Sequence, residues 1–291
     1  MFERESDEQG LAAAWSRIAW VHQSRAHYAR AMDALEVALR HARSAELVTE
    51  ELPIVANLCV TLWMGPLPAG RAIERCTTLR EQIGERHPLV GAFVAAPVGV
   101  LQALAGTPNE GRATLAAARA TIADMHSGEP VAALLRFSGQ VELLDGQPAA
   151  AEPFLLESAE HYRSIGHLGG ECDVAAALSL AMRMQGRGGD AASWANRSRE
   201  TAVPDDRNNQ IAWRLAVASA NGDASAAGEA VEIARACESP ELLADALLTR
   251  AATTESLDDA DEAAALYMAK GHTVGLALAQ KAAGALAGRS A

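Results

Sequence analysis

The side chains best suited to holding a ligand in this chain are two arginines, Arg136 and Arg183. A guanidinium group presents a planar pair of donors that matches a carboxylate or a phosphate. We expect Arg136, Gln140 and Arg183 to hold an anionic group, with aromatic contact from Trp20 and Trp63. The full set of predicted ligand-binding residues is Trp20, Trp63, Phe93, Arg136, Gln140, Asp173, Arg183 and Met184.

A structural role for the same side chains is the alternative that the sequence leaves open. In that case Arg136 and Arg183 form ion pairs with acids on neighbouring helices, and the tryptophans belong to the core. The acids within reach are Glu142, Asp173 and Glu171. Loss of ligand affinity in Arg136→Ala without loss of thermal stability would favour the binding role.

Motifs for catalysis and metal binding are absent from the sequence. The pairs His22/His27 and His161/His167 are five and six residues apart, so neither pair shares one face of a helix. There is no G-x-S-x-G and no G-x-G-x-x-G. We therefore predict no metal, no cofactor and a non-catalytic protein, although a catalytic pair assembled from distant parts of the chain stays open.

Composition and charge restrict the partners. The net charge of −12 and the pI near 5.1 argue against nucleic acid and anionic membranes, because binding phosphates needs a basic face. The charged start of the chain, residues 1–8, has no apolar core and is not a secretory signal. Four widely spaced cysteines without a C-x-x-C predict reduced, buried thiols and a cytoplasmic protein.

The elements that must position these residues are helices in a repeat. Aromatic residues are only 4 %, and the apolar 49 % is mostly Ala and Leu, which favours helices. Predicted turns between helices recur every 36 to 41 residues, a period typical of a helical solenoid. These turns lie at Ala26, Gly65, Gly106, Gly146, Gly186, Gly222 and Asp258. Five residues after each turn lie only small residues: Ala31, Gly70, Gly111, Ala151, Ala191, Ala227 and Ala263.

Small residues also stand seven before and twelve after most turns, which predicts close approach of paired helices. These offsets resemble those of the tetratricopeptide repeat. The resemblance implies an all-α, right-handed superhelical solenoid of about seven helix pairs plus a C-terminal capping helix. It also places the first helix of each pair on the concave face, which is where the candidate residues are expected. We expect one helical-repeat domain over residues 1–291, with repeats near 8–44, 46–84, 88–125, 129–165, 169–202, 205–238 and 240–270 and a cap at 272–287.

Several segments are similar to a narrower group of proteins. They include Gly65-Pro66-Leu67-Pro68, Ser138 to Leu144 with Pro148 to Glu152, Pro204-Asp205-Asp206, and Lys270-Gly271. They resemble the C-terminal repeat regions of actinobacterial adenylate/guanylate-cyclase-like ATPases, which implies a module that senses a ligand or partner. The chain departs from a Walker A motif, because Arg71 stands where the lysine is required.

The residues and the resemblance together favour a non-catalytic binding or regulatory module that recognises a peptide, a protein partner or a small anionic ligand in its concave groove. A stand-alone enzyme or small-molecule-binding protein with a closed groove is the alternative. Self-association into a homo-oligomer through an exposed terminal repeat is a third.

Overall fold

The structure, a computed structural model, describes residues 7–84, 87–124 and 128–290. Within them the chain forms fifteen helices and no strand. The helices are α1 (Glu8–Ser24), α2 (Tyr28–Ser44), α3 (Val48–Met64), α4 (Ala69–Gly84), α5 (Pro88–Leu104), α6 (Pro108–Thr121), α7 (Glu129–Leu144), α8 (Pro148–Ser164), α9 (Leu168–Met184), α10 (Gly188–Thr201), α11 (Arg207–Asn221), α12 (Ala224–Arg235), α13 (Pro240–Thr254), α14 (Leu257–Lys270) and α15 (Thr273–Ser290). The charged start, residues 1–6, and the predicted end of the third repeat at Met125 lie outside the described residues.

Successive helices pack as antiparallel pairs, from α1/α2 to α13/α14, and α15 covers the last pair. The all-α, tetratricopeptide-like solenoid of about seven helix pairs and a capping helix is therefore confirmed. Most pairs turn through a residue with positive φ, as the sequence predicts at Ala26, Gly106, Gly146, Gly186 and Gly222. Prolines at the first turn of α6 and α8 begin the helices that follow, because their missing N–H needs no partner there.

The predicted turn at Gly65 lies between the two helices as expected, but the spacing of small residues after it differs, and the predicted turn at Asp258 is displaced. Gly65 has φ −83° and an extended conformation, because a residue that precedes proline is disfavoured from helical geometry and Pro66 follows it. Helix α4 consequently starts at Ala69, and Ala72 rather than Gly70 is the buried small residue. The seventh turn lies at Glu255, not Asp258, because the Ser256 side chain caps α14 before that residue.

Small residues do allow close helix pairing where the offsets are regular. A Cβ on Gly111 of α6 would lie 2.4 Å from the carbonyl oxygen of Gly99 on α5. A Cβ on Gly139 of α7 would lie 2.5 Å from the Leu155 side chain on α8. The Ser179 hydroxyl donates to the Ala191 carbonyl at 2.8 Å, which joins α9 to α10 in the same way. These contacts are the physical cause of the small-residue pattern.

One connection between helix pairs occurs twice with the same residue types. Residues 162–170 join α8 to α9, and residues 267–275 join α14 to α15; both read Tyr-x-x-x-Gly-His-x-x-Gly. In each copy the histidine Nδ1 accepts from the last glycine's N–H, at 2.9 Å in the first copy and 3.0 Å in the second. A Cβ on that glycine would collide with the tyrosine ring at 2.4 or 2.6 Å. Glycine is therefore required because the ring packs directly on the next helix.

The array also closes on itself. The Tyr28 hydroxyl donates to Asn208 Oδ1 at 2.8 Å, and the Glu238 N–H donates to the Ala26 carbonyl at 2.8 Å. Further contacts join residues 62–67 to Lys270 and Leu104 to Thr273. We call these contacts, which join the first three repeats to the last two repeats and the capping helix, the seam. No helix in the described part of the chain is long and apolar enough to cross a bilayer.

Candidate functional site

A cluster of side chains lies on the inner face of the superhelix. Its residues come from α3, α7, α9 and α11, each of which is the first helix of its pair. Trp63 of α3 reaches past α5 to Phe137 of α7, with ring centroids 5.3 Å apart in an edge-to-face arrangement at 79°. Contact between alternate repeats places both rings on the concave side. We call Trp63, Phe137, Arg136, Asp173 and Asn209 the inner-face cluster.

Arg136 lies over the Phe137 ring, with its guanidinium carbon 4.4 Å from the ring centroid. Its Nη1 forms an ion pair with Asp173 Oδ2 of α9 at 3.7 Å, and its side chain is 21 % exposed. Its Nε is buried and has no hydrogen-bond partner among the described residues, and the same holds for Trp63 Nε1. Two donors beside one aromatic ring are therefore buried without an acceptor among the described residues, and such groups are uncommon in folded proteins.

Asp173 is held from both neighbouring repeats. Burial raises the pKa of its carboxyl group above the ordinary value, and the positive charge of Arg136 offsets part of that rise. The Asn209 amide of α11 donates to Asp173 Oδ1 at 2.8 Å and to the Gly169 carbonyl at 3.2 Å. The Asp206 side chain caps α11 by accepting from the N–H groups of Asn208 and Asn209. These bonds fix the amide of Asn209 against the carboxylate.

The structure brings together only three of the predicted ligand-binding residues, Trp63, Arg136 and Asp173. Gln140 and Phe93 are half-buried, Arg183 is exposed, and Trp20 and Met184 are exposed by 62 % and 40 %. No hydrogen bond, ion pair or ring contact between described residues joins these five to the cluster. An anion held by Arg136 together with Arg183 and Gln140 consequently stays a prediction.

Some of the predicted ligand-binding residues have the structural role that the sequence offered as the alternative, in ion pairs and in the core. Arg136 pairs with Asp173, and Trp63 is only 5 % exposed. The other two acids have different partners: Glu142 binds Arg112 at 2.8 Å, and Glu171 binds Arg163 and Arg197. Arg183 forms no ion pair within the described residues. The cluster is therefore both a packing element and a source of unsatisfied donors.

Two shallow surface depressions contain none of the predicted site residues. One of about 250 Å³ is lined by Arg17, Ile18, Val21 and His22 on α1. The other, of about 370 Å³, lies between α4, α5 and α6 and is lined mainly by small residues and Arg80. Among the described residues there is also no group of His, Cys, Asp or Glu side chains arranged to hold a metal ion.

Phe137 and Asn209 were not among the predicted ligand-binding residues. Phe137 immediately follows Arg136, and its contact with Trp63 depends on the curvature of the array, which no local pattern encodes. Asn209 stands thirteen residues before the Gly222 turn, and Asp173 stands thirteen before the Gly186 turn. This shared offset puts the two residues at equivalent positions on neighbouring first helices.

No protein-family model and no curated protein matches this sequence. Solved structures do match the fold. A Rap protein in complex with competence and sporulation factor superimposes with a TM-score of 0.72 at 13 % identity, over 96 % of this chain and 79 % of that one. The Rap conjugation gene regulator of plasmid pLS20, in complex with the Phr* peptide, gives 0.69 at 14 % identity, over 100 % and 78 %. The chain therefore has the helical-repeat fold of the Rap proteins.

Proposed function

We propose that this chain is a non-catalytic regulatory module that binds an extended peptide segment along its inner face. The observation that carries the proposal is the inner-face cluster, in which Arg136 Nε and Trp63 Nε1 are buried donors without partners. A peptide carbonyl or carboxylate is the acceptor these donors lack. Asp173 and Asn209 extend the same polar row onto the next two repeats.

The comparison with Rap proteins supports a peptide as the occupant. Both solved Rap structures hold a bound factor, and one of these is named as a peptide. A small anionic ligand is the second candidate, because the same two donors suit a lone carboxylate. Peptide is favoured because the polar row runs across α7, α9 and α11, which is longer than one small anion needs.

The proposal also covers the biological role of this module, its location in the cell and its working unit. The sequence resemblance to repeat regions of actinobacterial cyclase-like ATPases favours a role in signalling. Four free cysteines, three of them buried, support a cytoplasmic location because buried thiols need no oxidising compartment. We propose one helical-repeat domain as the working unit, and its oligomeric state is to be measured in the same samples.

Selection of random peptides on the immobilised full chain, followed by titration calorimetry, tests the proposal. We expect a selected peptide to bind Arg136→Gln roughly 10–100-fold more weakly, the loss typical of one hydrogen bond to a charged group. Arg199→Gln, an exposed arginine on α10, is the matched control and should bind like the unmodified chain. Arg183→Gln tests whether the ligand is held by the residues predicted from the sequence, which include Arg183, or by the inner-face cluster alone. It weakens binding only if Arg183 reaches the ligand.

The double variant Arg136→Gln/Asp173→Asn removes both charges together and so avoids leaving a carboxylate unpaired. If it folds and binds the selected peptide as tightly as the unmodified chain, the inner-face cluster is not the site. Native mass spectrometry of the purified chain decides the second candidate. A small molecule that copurifies and is lost on denaturation would favour the anion, and a bare chain would favour the peptide.

A further inference from the structure

Two side chains of the seam, Glu238 and Lys270, come from the last two repeats and satisfy helix ends in the first two repeats. Helix ends carry unpaired backbone groups and a partial charge, positive at the N-terminus and negative at the C-terminus. In an open solenoid, water satisfies these groups. Here residues about 200 positions away do so, and each has the charge that its helix end requires.

Glu238, which follows α12, acts at the N-terminus of α2. The α2 N-cap residue, His27, makes no side-chain capping bond. Glu238 Oε2 instead accepts from the N–H groups of Ala29 at 3.1 Å and Arg30 at 3.3 Å. Its other oxygen pairs with the Arg30 guanidinium at 3.2 Å. A carboxylate at a helix N-terminus is stabilised by both the hydrogen bonds and the dipole.

Lys270, the last residue of α14, acts at the C-terminus of α3 in the complementary way. Its side chain is fully buried, and its Nζ donates to the carbonyls of Trp63 and Gly65 at 2.6 Å and of Leu67 at 3.0 Å. Three such acceptors need three N–H donors, which only the ammonium form has. In the equivalent position of the first Tyr-x-x-x-Gly-His-x-x-Gly copy stands Ile165, which is 42 % exposed and bonds no distant helix.

No apolar core crosses the seam in the described residues. The buried apolar residues form four clusters, covering residues 12–141, 132–191, 195–227 and 211–279. Each follows neighbouring helices along the array, and none joins residues 26–107 to residues 208–273. Separating stacked helices exposes a core, whereas separating the seam breaks a few polar bonds and uncovers the side chains of Tyr28 and Lys270. The seam is thus the place where the structure divides at least cost.

The seam is also attached to the inner-face cluster. Asn208 accepts from the Tyr28 hydroxyl across the seam, and its neighbour Asn209 holds Asp173 in the cluster. Both asparagines stand in the first turn of α11, capped by the same Asp206 oxygen. A movement that pulls Asn208 from Tyr28 therefore moves the residue that orients Asp173.

We infer that the seam is a gate: it opens and recloses as one unit while all helix pairs stay stacked, and Lys270 and Glu238 are its latches. When the seam is open, an extended peptide can enter the inner face from the side. This role of the opening rests on the proposed function. The opening itself does not depend on any ligand and is measured without one.

Hydrogen exchange of the full chain, followed by mass spectrometry, tests the gate. In Lys270→Met the Glu238 amide, which donates across the seam, should exchange at least about tenfold faster, while amides inside α9 keep their rates. Circular dichroism should show unchanged helix content, and small-angle scattering should show a larger radius of gyration. Lys281→Met, at the only other lysine and exposed on α15, should change none of these.

Equal exchange at the Glu238 amide in folded Lys270→Met and in the unmodified chain would overturn the inference. Loss of helix content in that variant would also overturn the inference, because the stacking of the helix pairs would then depend on Lys270. A second measurement uses the unmodified chain alone. If its seam amides exchange only through the global unfolding that exposes the core helices, the seam does not open separately.

Discussion

The substitution Gly111→Ala tests the close pairing of α5 and α6 most directly. The added Cβ would lie 2.4 Å from the Gly99 carbonyl oxygen. Ordinary contact begins near 3.4 Å, so the two helices must separate locally by about 1 Å. The obstacle is backbone and cannot rotate aside as a side chain would.

Two opposing effects decide the expected size. Alanine gains about 1 kcal/mol over glycine inside a helix. Overpacking a well-packed contact costs about 1–3 kcal/mol, and a clash with backbone belongs at the upper end. We expect a net loss of about 2 kcal/mol in the free energy of unfolding, which lowers Tm by about 3–4 °C in a protein of this size.

Thermal and urea unfolding followed by circular dichroism measure this loss, with Gly228→Ala as the matched control. Gly228 lies inside α12, and a Cβ there meets no atom within 4 Å. The same substitution should therefore stabilise by about 0.5–1 kcal/mol, because only helix propensity changes. If Gly111→Ala also stabilises the protein, the close approach of α5 and α6 does not exist in solution.

Two further predictions concern charge. Arg112→Met removes the ion-pair partner of the nearly buried Glu142 and should lower the free energy of unfolding, measured by chemical denaturation, by about 1–3 kcal/mol. Arg235→Met, which removes one side of an exposed ion pair, should lower it by less than about 1 kcal/mol. Equal losses would contradict the burial of Glu142. Burial and a neighbouring carboxylate raise the pKa of Glu241 to about 8, above the ordinary 4.5, so the folded state holds its proton longer and the free energy of unfolding falls as pH rises through this range. Between pH 6.5 and about 8 the free energy of unfolding should fall by up to about 2 kcal/mol, because each of these roughly 1.5 pH units contributes at most about 1.36 kcal/mol. In Glu241→Gln that part of the slope should vanish, and an unchanged slope would assign it to another group.

The fold was predictable because its determinants are local. Small residues at fixed distances from a turn report helix pairing directly, and Gly111 and Gly139 make the contacts that the offsets require. The turn at Gly65 is where the pattern predicts it, but the buried small residue after it is Ala72 and not Gly70, because Pro66 favours an extended backbone at Gly65 and the next helix starts at Ala69. The pattern failed at Asp258 because Ser256, directly after the turn residue Glu255, caps the next helix and so places Asp258 inside that helix.

The candidate site was predictable only in part because it depends on curvature. Trp63 and Phe137 meet across an intervening repeat, so their contact is set by how tightly the array winds. The same winding creates the seam, and neither Lys270 nor Glu238 carries any local sign of its distant partner. Charged residues at helix ends are common, and only the closed superhelix shows which of them cap another helix.

The closed array also has a kinetic consequence. Contacts between stacked helices join residues close in sequence, whereas every contact in the seam joins residues at least 169 positions apart, and Lys270 and Gly65 are 205 positions apart. Closing so large a loop costs entropy before any bond repays it, so ring closure should come last in folding, after the helix pairs have assembled. Changes at Lys270 or Glu238 should therefore leave the refolding rate almost unaltered and accelerate unfolding, because their bonds are absent from the transition state.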